Sequence, residues 1–367
     1  MFTNQSKYQK HEYFMRLALK QAEILLGNTK QNPTVGCVIV KNNNVISAGA
    51  TSFNGRPHAE KNTISCSKNN LRNSYLYTTL EPCSHFGKTP PCTKLIIKKK
   101  IKKVFFSIKD YDYRSYNKAA YTLKNKGVDV KNGILKKEIN RFYKSYYKLK
   151  RNLLPFVTCK LAVSKDFYTI DKKNKWITNK YSRGRVHLMR SIHDCIITSS
   201  RTVNLDNPRL NCRINGLDNR TPSRIILDNK LEIKIKSNII KESNKYETFI
   251  FYNKFDKLKI KILNKLKIRT VKIPLNKKGE LDLRNVLNKA RKLGFSRIFL
   301  EAGIKLTNSF LKENFVDDFK LFISNKNLGK NGNASINNFI KKYLINKNKK
   351  TVDVNLSEER LLSYKLK

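Results

Sequence analysis

Residues 79–92 of the chain read TLEPCSHFGKTPPC, and this stretch decides how the first third of the sequence folds. It follows PHAE at residues 57–60, so one histidine precedes the two cysteines, Cys83 and Cys92. One imidazole and two thiolates make three protein ligands for zinc. A three-ligand site leaves a fourth position open to water, as catalytic zinc sites do. We therefore predict a catalytic zinc centre on His58, Cys83 and Cys92.

Two neighbours of these ligands carry further expectations. Glu60 lies two residues after His58, at the expected start of a helix, where it can reach the water without binding the metal. We predict that it transfers a proton between that water and the departing amine. Cys92 follows two prolines and is expected to open a helix, whose N-terminal dipole stabilises a thiolate. His85 lies between the cysteines as either a fourth ligand or a substrate contact, and we favour the contact.

The net charge of +50, from 77 basic and 27 acidic residues, would ordinarily indicate a nucleic-acid partner. The lysines are spread almost evenly and accompany asparagine and isoleucine, so biased coding composition explains them as well. We therefore predict no specific nucleic-acid partner. The charge still favours anionic small molecules.

Length and composition predict a multidomain protein of a reducing cytoplasm. A chain of 367 residues exceeds one typical domain. Seven scattered cysteines do not form the pattern of a disulfide framework. No run approaches the roughly 20 apolar residues of a membrane span, and residues 1–10 lack the apolar core of a signal peptide. We therefore expect no membrane partner, whereas a homo-oligomer stays open.

Apolar runs alternate between strand and helix patterns through both halves, which predicts an α/β architecture. A basic, tyrosine-rich stretch before Pro155 separates the halves, so we place the domains at 1–150 and 151–367. Residues 253–267 and 325–350, rich in lysine and asparagine, are interpreted as solvated loops and faces. The predicted elements of the first half are a helix at 8–26, strands at 35–40 and 45–49 joined into a hairpin by the turn at 41–44, a helix from Ala59, a strand at 74–78, a helix at 92–99 and a strand at 104–108. Those of the second half are strands at 156–163, 194–198, 224–228, 249–252, 297–301 and 321–324, and helices at 181–190 and 305–313.

These motifs together resemble the bifunctional deaminase–reductase family of riboflavin biosynthesis. Residues 32–38 (NPTVGCV), PHAE and the 79–92 stretch resemble its pyrimidine deaminase half. Residues 160–166 (KLAVSKD), 206–210 (DNPRL) and 301–303 (EAG) resemble its reductase half. The resemblance implies a cytidine-deaminase-like three-layer N-terminal domain followed by a dihydrofolate-reductase-like α/β domain.

The resemblance also implies chemistry, cofactors and site residues. The first domain would bind one Zn²⁺ per chain and hydrolytically deaminate a diaminohydroxypyrimidine that carries a ribosylamino 5′-phosphate. The second would use NADPH to reduce the ribosyl side chain to ribityl. By matched position, the implied cofactor-binding residues are Ala162, Trp176, Thr202, Asp206, Asn229 and Gly303. The implied substrate-binding residues are Asn174, Arg190, Leu210, Arg213 and Glu301.

Elementary chemistry supports several of these implied roles. A glycine between a strand and a helix, as at Gly303, lets backbone approach a phosphate at the positive end of the helix. Arg190 and Arg213 can each bind a phosphate through a forked pair of hydrogen bonds. Trp176 would by default be a core or interface residue, and we favour a flat wall beside the cofactor.

The sequence departs from the family pattern at several turns. Residues 166–168 read Asp-Phe-Tyr where the family has Asp-Gly-Lys or Asp-Gly-Arg, and a serine before Trp176 is replaced, leaving Asn174-Lys175. Asp206-Asn207-Pro208 stands for Asp-Asp-Pro, and residues 110–119 lack the expected proline-rich and glycine-rich run. The zinc motif is intact, so deamination is the better supported activity and the strength of reduction stays open.

Two other functions would each explain part of the sequence. A nucleic-acid base deaminase shares the zinc chemistry, but its cysteines are two residues apart, whereas eight residues separate Cys83 and Cys92. A reductase-like second half also has no place in it. A basic RNA-binding protein would explain the charge and leave the histidine, glutamate and cysteine motifs unexplained.

Overall fold

The computed structural model describes residues 4–336 and 339–367, and the chain divides into two compact units, Met1–Leu153 and Leu154–Lys367. The sequence predicted the boundary after residue 150, at the end of the last helix of the first unit. The helix is followed by one more hydrogen-bonded turn, in which the amide of Leu153 donates to the carbonyl of Lys148 at 2.9 Å. That turn keeps residues 151–153 with the first unit.

The first unit is a mixed sheet flanked by helices. Its helices are α1 (Asn4–Glu23), α2 (Ala59–Cys66), α3 (Cys92–Lys98), α4 (Ala119–Lys124), α5 (Lys136–Phe142) and α6 (Lys144–Lys150). Its strands are β1 (Gly36–Lys41), β2 (Asn44–Ala50), β3 (Tyr75–Leu80), β4 (Lys103–Ile108) and β5 (Asp129–Asn132), in the spatial order β2-β1-β3-β4-β5. β1 runs antiparallel to β2 and β3, whereas β3, β4 and β5 are parallel. The predicted hairpin at 35–49 forms because Asn42 and Asn43 both adopt the positive φ that a tight two-residue turn requires.

Close packing of α1 on β1 explains the glycine in the NPTVGCV stretch. A Cβ on Gly36 would lie 1.8 Å from the carbonyl oxygen of Ala18 and 2.6 Å from the amide of Ala22. Only glycine therefore lets the helix approach the strand this closely. The contact holds α1 against β1, an interior strand of the sheet, and β1 in turn pairs with β3, the central strand, which leads into the cysteine loop.

The second unit is built on a larger, mostly parallel sheet. Its strands are β6 (Phe156–Val163), β7 (Tyr168–Asp171), β8 (Cys195–Ser199), β9 (Ser223–Leu227), β10 (Thr248–Tyr252), β11 (Arg269–Lys272), β12 (Arg297–Glu301), β13 (Asp318–Ile323), β14 (Gly332–Ser335), β15 (Asn348–Thr351) and β16 (Arg360–Lys365). Its helices are α7 (Lys180–Ser191), α8 (Ser200–Asp206), α9 (Asn238–Lys241), α10 (Lys257–Lys265), α11 (Leu283–Lys292), α12 (Ile304–Lys312) and α13 (Ile340–Leu344).

The strand order of this sheet brings distant parts of the chain together. The order is β11-β10-β9-β8-β12-β6-β13-β16-β15, in which the strands from β11 to β13 are parallel, β16 is antiparallel to β13, and β15 is antiparallel to β16. β7 and β14 form a separate two-stranded antiparallel sheet. β12, which begins at Arg297, therefore lies between β8, which ends at Ser199, and β6, which ends at Val163. One face buries side chains such as Cys159, Ile197 and Leu300, and the opposite face buries Ile196 and Phe299.

Two stretches that the sequence analysis assigned to solvated loops contain helices with buried residues. α10 lies within residues 253–267 and buries Leu263, and α13 lies within 325–350 and buries Ile340 and Leu344. The expected solvated faces are present, since most residues of α10 are exposed, but the two helices were not predicted because lysine and asparagine dominate both stretches. A few apolar side chains at helical spacing are enough to anchor a short helix once a sheet is there to receive them.

The altered turn at residues 166–168 still closes. Phe167 takes the position of the family's glycine with a φ of 68°, and the amide of Ser164 donates to the carbonyl of Tyr168 at 2.8 Å. Asp166 stabilises the turn by accepting hydrogen bonds from the amides of Leu328 and Gly329. Side-chain packing of Phe167 against the core and these bonds offset the left-handed backbone.

Among residues 4–336 and 339–367, no helix combines the length and the apolar character that a membrane crossing requires.

Candidate zinc centre and reductase site

Three structural elements place the zinc-type side chains next to one another. His58 is the last extended residue before α2, with φ −70° and ψ 158°. Cys83 lies in the loop after β3, and Cys92 is the first residue of α3. The amide of Cys92 donates to Cys83 Sγ at 3.2 Å, so the beginning of α3 holds the loop as well as the second thiol.

The three donor atoms form one cluster. Cys83 Sγ lies 3.5 Å and Cys92 Sγ 3.6 Å from His58 Nδ1, and all three donors fall within 4.8 Å of one another. In the described residues this is the cluster of histidine, cysteine and acidic side chains that has metal-binding geometry. Glu60, on the first turn of α2, is 3% exposed and has Oε2 3.6 Å from Cys92 Sγ.

The electrostatics of the cluster divide its groups. Hydrogen bonding from Cys92 and His58 outweighs burial and lowers the pKa of Cys83 to about 4. The same contact and burial raise the pKa of the Cys92 thiol. Burial raises the pKa of Glu60 to about 7, with the nearby charge of Cys83 adding to it. A soft divalent cation fits this donor set, because its charge is what allows both sulfurs to ionise together.

The cysteine loop is held from behind by the segment at 110–119, which departs from the family pattern. The carboxylate of Glu81 is 3% exposed and accepts backbone hydrogen bonds from Asp110 at 3.1 Å, Asn117 at 3.0 Å and Ala119 at 2.9 Å. His85 Nδ1 lies 2.9 Å from the Ser115 hydroxyl and outside the donor cluster. Glu81 was not singled out from the sequence, where it is simply one letter of the 79–92 stretch.

In the second unit, two of the sequence-selected residues form a largely buried ion pair, with side chains 10% and 16% exposed. Arg190, near the end of α7, donates from Nε and Nη2 to the two carboxylate oxygens of Glu301 at 2.9 Å each. Burial alone would raise the pKa of Glu301, but the charges of Arg190 and Lys160 outweigh it and lower that pKa to about 2. Both carboxylate oxygens of Glu301 therefore accept hydrogen bonds from Arg190.

Lys160 and Thr198 belong to the same face of the sheet and were missed as site residues. Glu301 on β12 pairs in register with Lys160 on β6, so their side chains lie side by side. Burial lowers the pKa of Lys160, although Glu301 opposes that effect. Thr198 on the other neighbour, β8, is 1% exposed, and its hydroxyl has no hydrogen-bond partner among the described residues. The register of three strands, which a sequence does not display, brings these groups together.

The loop at 207–213 brings Leu210 and Arg213 to this ion pair. Leu210 is buried with a φ of 51°. Asn211, also buried, accepts a hydrogen bond from Arg190 Nη1 at its carbonyl and from Arg213 Nη1 at its side chain, at 2.9 and 2.5 Å. His187 Nδ1 lies 3.0 Å from the same carbonyl. Burial and the charges of the two arginines lower the pKa of His187 to about 4.

The residues selected for the cofactor lie at several places in the second unit. Thr202, in the first turn of α8, and Gly303, which precedes α12, are close, because a Cβ on Gly303 would lie 3.9 Å from Thr202 Oγ1. Ala162 lies on β6, Asp206 ends α8, and Asn229 follows β9 and donates to the carbonyl of Gly279 at 3.0 Å. Asn174 donates to Asp171 at 2.9 Å, and Trp176 is 51% exposed beneath the guanidinium of Arg183.

A nicotinamide cofactor fits the area between β8 and β12. Gly303 has an ordinary φ of −70°, and Thr202 Oγ1 is the only neighbour that its Cβ would approach among the described residues. Neither backbone strain nor packing therefore requires glycine there. The open space before α12 and the unpartnered hydroxyl of Thr198 are features that a bound ligand would use.

Comparison with known proteins identifies the family of the chain. The profile of the RibD C-terminal domain matches residues 155–352, and that of the cytidine and deoxycytidylate deaminase zinc-binding region matches residues 8–108. The riboflavin biosynthesis protein RibD of Aquifex aeolicus (strain VF5) is 32% identical over 357 residues, which cover 96% of this chain and 97% of that protein. The chain belongs to the RibD family. The RibD protein of Escherichia coli (strain K12) is also 32% identical, over 331 residues.

A solved RibD-type structure has the same architecture over the full length. The diaminohydroxyphosphoribosylaminopyrimidine deaminase/5-amino-6-(5-phosphoribosylamino)uracil reductase of Thermotoga maritima superposes with a TM-score of 0.82 at 29% identity, covering 98% of this chain and 99% of that one. These matches confirm the expected order of a deaminase-like unit followed by a RibD reductase unit. As a RibD-family member, the chain is a bifunctional deaminase and reductase of riboflavin biosynthesis.

Proposed function

We propose that the first unit binds one zinc ion per chain through His58, Cys83 and Cys92 and deaminates a phosphorylated diaminopyrimidine. A zinc ion at such a site supplies Lewis acidity that makes water nucleophilic near neutral pH. The observation that carries the proposal is the position of Glu60. Its carboxyl is buried, has Oε2 3.6 Å from Cys92 Sγ, and has a pKa raised to about 7 by burial.

A buried carboxyl this close to the metal-type cluster suits proton transfer in both directions. Glu60 accepts a proton from the attacking water and delivers it to the amine that leaves the pyrimidine ring as ammonia. It need not bind the metal to do so, since the histidine and the two thiols already provide three ligands. Glu60 is therefore the catalytic residue of the deamination, and His85 is a substrate contact at the mouth of the same site.

In the second unit, the nicotinamide cofactor is NADPH, and the substrate is the deaminated pyrimidine with its ribosylamino 5′-phosphate. NADPH supplies the hydride that converts the ribosyl side chain to ribityl. Gly303 and Thr202, with Ala162, Asp206 and Asn229, form the cofactor side, and Trp176 offers a flat wall. Leu210, Arg213, Glu301 and Asn174 form the substrate side.

The two arginines have different tasks in this proposal. Arg190 donates from Nε and Nη2 to the two carboxylate oxygens of Glu301 at 2.9 Å each. Its main effect is therefore to hold that carboxylate in place. Arg213 is exposed, and within residues 4–336 and 339–367 its side chain makes one hydrogen bond, to Asn211. Its remaining donors are free to bind the substrate phosphate. Arg213 is the phosphate contact that we carry forward.

One product analysis tests the two reactions together. The protein is incubated with the phosphorylated diaminopyrimidine, with and without NADPH, and the products are separated and weighed by mass spectrometry. We expect ammonia and the deaminated ribosylamino compound without NADPH, and the ribityl compound with it. NADH at the same concentration should replace NADPH poorly. Absence of ammonia release from a zinc-loaded protein would refute the proposal for the first unit.

The phosphate contact is tested by Arg213→Ala. A charge-assisted hydrogen bond contributes about 1.5–3 kcal/mol, so we expect a roughly ten- to hundredfold loss in kcat/KM, mostly as a higher KM for the phosphorylated substrate. Arg213→Lys should recover part of it, because the forked geometry is lost. Arg141→Ala and Arg151→Ala, which lie outside the second unit, serve as controls for the diffuse charge. Equal losses in all of these variants that vanish in moderate salt would show that only the overall field matters.

A further inference from the structure

Behind the proposed phosphate contact lies a polar network that the reaction itself does not use. Asn211 is 5% exposed and joins the two arginines of the reductase site, because Arg190 binds its carbonyl and Arg213 binds its side-chain oxygen. The side-chain amide of Asn211 is directed the other way and donates to Glu242 Oε2 at 3.5 Å. One buried asparagine therefore links the site to a carboxylate just beyond α9.

Glu242 in turn is held by charge on both sides. Its Oε1 lies 3.4 Å from Arg209 Nε, and its Oε2 lies 3.7 Å from Arg224 Nη1. Arg209 belongs to the same loop as Asn211, whereas Arg224 is on β9 in the sheet below. The carboxylate thus connects the loop to the rigid part of the unit.

Arg224 is the fixed end of this network. Its side chain is fully buried and donates to Thr248 Oγ1 at 2.7 Å from Nη2 and at 3.1 Å from Nε. It also donates to two backbone carbonyls, those of Tyr246 and Arg209, at 3.1 Å each. A buried guanidinium with this many partners has one orientation. Arg224 contacts the loop at 207–213 in two ways. It binds the carbonyl of Arg209 directly, and it lies beside Glu242, whose carboxylate contacts Arg209 and Asn211.

The network matters because the guanidinium of Arg213 needs a partner to fix its orientation. A long exposed side chain loses rotamer entropy when it is fixed, and Arg190 and Arg209 carry the same charge nearby. The acceptor that sets the direction of Arg213 is Asn211 Oδ1, at 2.5 Å. Fixing the Asn211 amide on Glu242 therefore fixes the acceptor, and through it the guanidinium.

We propose that Asn211 is a positioning residue of the reductase reaction, anchored by Glu242 and the buried Arg224, and that it aims Arg213 at the phosphate of the substrate. This rests on the proposed role of Arg213 as the phosphate contact. The network makes specificity for a phosphorylated substrate depend on residues that do not touch it.

The test compares substrates within the full-length protein. Asn211→Ala is assayed for KM with the phosphorylated substrate, KM with its dephosphorylated counterpart, and KM for NADPH. We expect about a tenfold increase for the phosphorylated substrate, since a misdirected guanidinium forfeits most of its contact. The other two KM values should change less than twofold. Deamination, which takes place in the first unit, should be unchanged.

A double variant shows whether the effect passes through Arg213. In the Arg213→Ala background, adding Asn211→Ala should change KM for the phosphorylated substrate less than twofold, because the group being aimed is already gone. Glu242→Ala, which leaves both the loop residue and the phosphate contact in place, should raise that KM about threefold. Trp176 fluorescence shows whether Asn211→Ala folds. If it does not fold, Glu242→Ala still tests the positioning role. Asn276→Ala is the matched control, since Asn276 organises a turn in the same unit through Lys278 and Glu280.

The outcomes separate this inference from the function on which it rests. If Arg213→Ala raises the KM and neither Asn211→Ala nor Glu242→Ala does, the positioning role is wrong and the phosphate contact stands. If Arg213→Ala leaves KM unchanged, the phosphate contact is wrong and the positioning role falls with it. Equal effects on the phosphorylated and dephosphorylated substrates, or full additivity in the double variant, would show that Asn211 only stabilises the fold.

Discussion

The zinc-type cluster of the first unit and the arginine–glutamate cluster of the second are assembled in opposite ways. His58, Cys83 and Cys92 lie between residues 58 and 92 of the chain, His58 and Cys92 at the beginnings of helices and Cys83 in the loop after β3, and they form one donor cluster. Lys160, Arg190 and Glu301 come from three distant segments, which only the order of strands in the larger sheet brings together. The first site is local in sequence and the second is a product of topology.

The difference also appears in charge. In the first cluster, the pKa of Cys83 is lowered and the pKa of Cys92 is raised. Both sulfurs would therefore ionise together only beside a cation. In the second, the charge of Glu301 is already compensated by its ion pair with Arg190. The first cluster has the donor geometry of a metal site, whereas the second is held together by its own ion pair. The changes below are chosen to break each cluster separately.

Glu60→Gln should have the largest effect, and only on the first reaction. Without the proton carrier, deamination should fall by about 10²- to 10⁴-fold, which is the usual contribution of general acid–base catalysis. Zinc content and the reduction of a supplied deaminated substrate should be unchanged. The comparison is made by ammonia release and NADPH oxidation on one preparation, with the exposed Glu138→Gln as the control. Joint loss of both reactions would contradict the separation of the clusters.

Glu301→Gln should damage the second unit by unpairing a buried cation. Breaking a buried ion pair from one side costs roughly 3–5 kcal/mol, because the remaining charge stays desolvated. Urea unfolding followed by the fluorescence of Trp176, the single tryptophan of the chain, measures this loss. Glu280→Gln removes the exposed partner of Lys305 and should cost less than about 1 kcal/mol. Equal and small losses would mean that the buried pair contributes no more than a surface one.

The same pair predicts how stability depends on pH. The pKa of Glu301 is about 2 in the folded chain, below the roughly 4.3 of an unfolded glutamate. Its stabilising contribution is therefore fully present above the unfolded value and is lost as the pH falls toward 2. The difference in unfolding free energy between the native protein and Glu301→Gln, about 3 kcal/mol at pH 6, should shrink steadily from pH 5 to pH 2.5. A difference that stays constant over this range would show that Glu301 has an ordinary pKa.

The smallest predicted effect is a difference in stability between two variants of Phe167, and its sign follows from the backbone conformation. At a φ of 68°, alanine keeps the Cβ that strains the backbone, whereas glycine does not. Both substitutions lose the packing of the ring, so their difference isolates the backbone. Phe167→Gly should be more stable than Phe167→Ala by about 1 kcal/mol, the reverse of the usual order within helices and strands. Urea midpoints of the two variants decide it, and a more stable alanine variant would refute the left-handed turn.

The sequence was sufficient for the parts of this molecule that are written locally. The central strands, the first helix and the elements around His58 and Cys92 follow from apolar spacing and from motifs of a few residues. The hairpin at Asn42 and Asn43 follows from its turn residues in the same way. In each case the physical cause lies within about ten residues of its effect.

What the sequence did not reveal depends on contacts between distant segments. Glu81 is fixed by backbone amides some thirty residues further on, and Lys160 acquires its importance only beside Glu301. The sequence suggested that the paired donors of Arg190 bind a phosphate. Nothing in the sequence showed that Nε and Nη2 of this arginine bind Glu301 instead. Short helices such as α10 were hidden for a related reason, since their few buried residues matter only against the sheet.

Metal removal tests the central claim most directly, namely that one chain carries a zinc-dependent deaminase and a reductase that work separately. The purified protein should contain about one zinc per chain. After the zinc is stripped by a chelator, deamination should disappear and return when zinc is added back, while NADPH-dependent reduction of the deaminated substrate continues throughout. A protein that contains no zinc yet still deaminates, or one in which both reactions fall and recover together, would contradict the account.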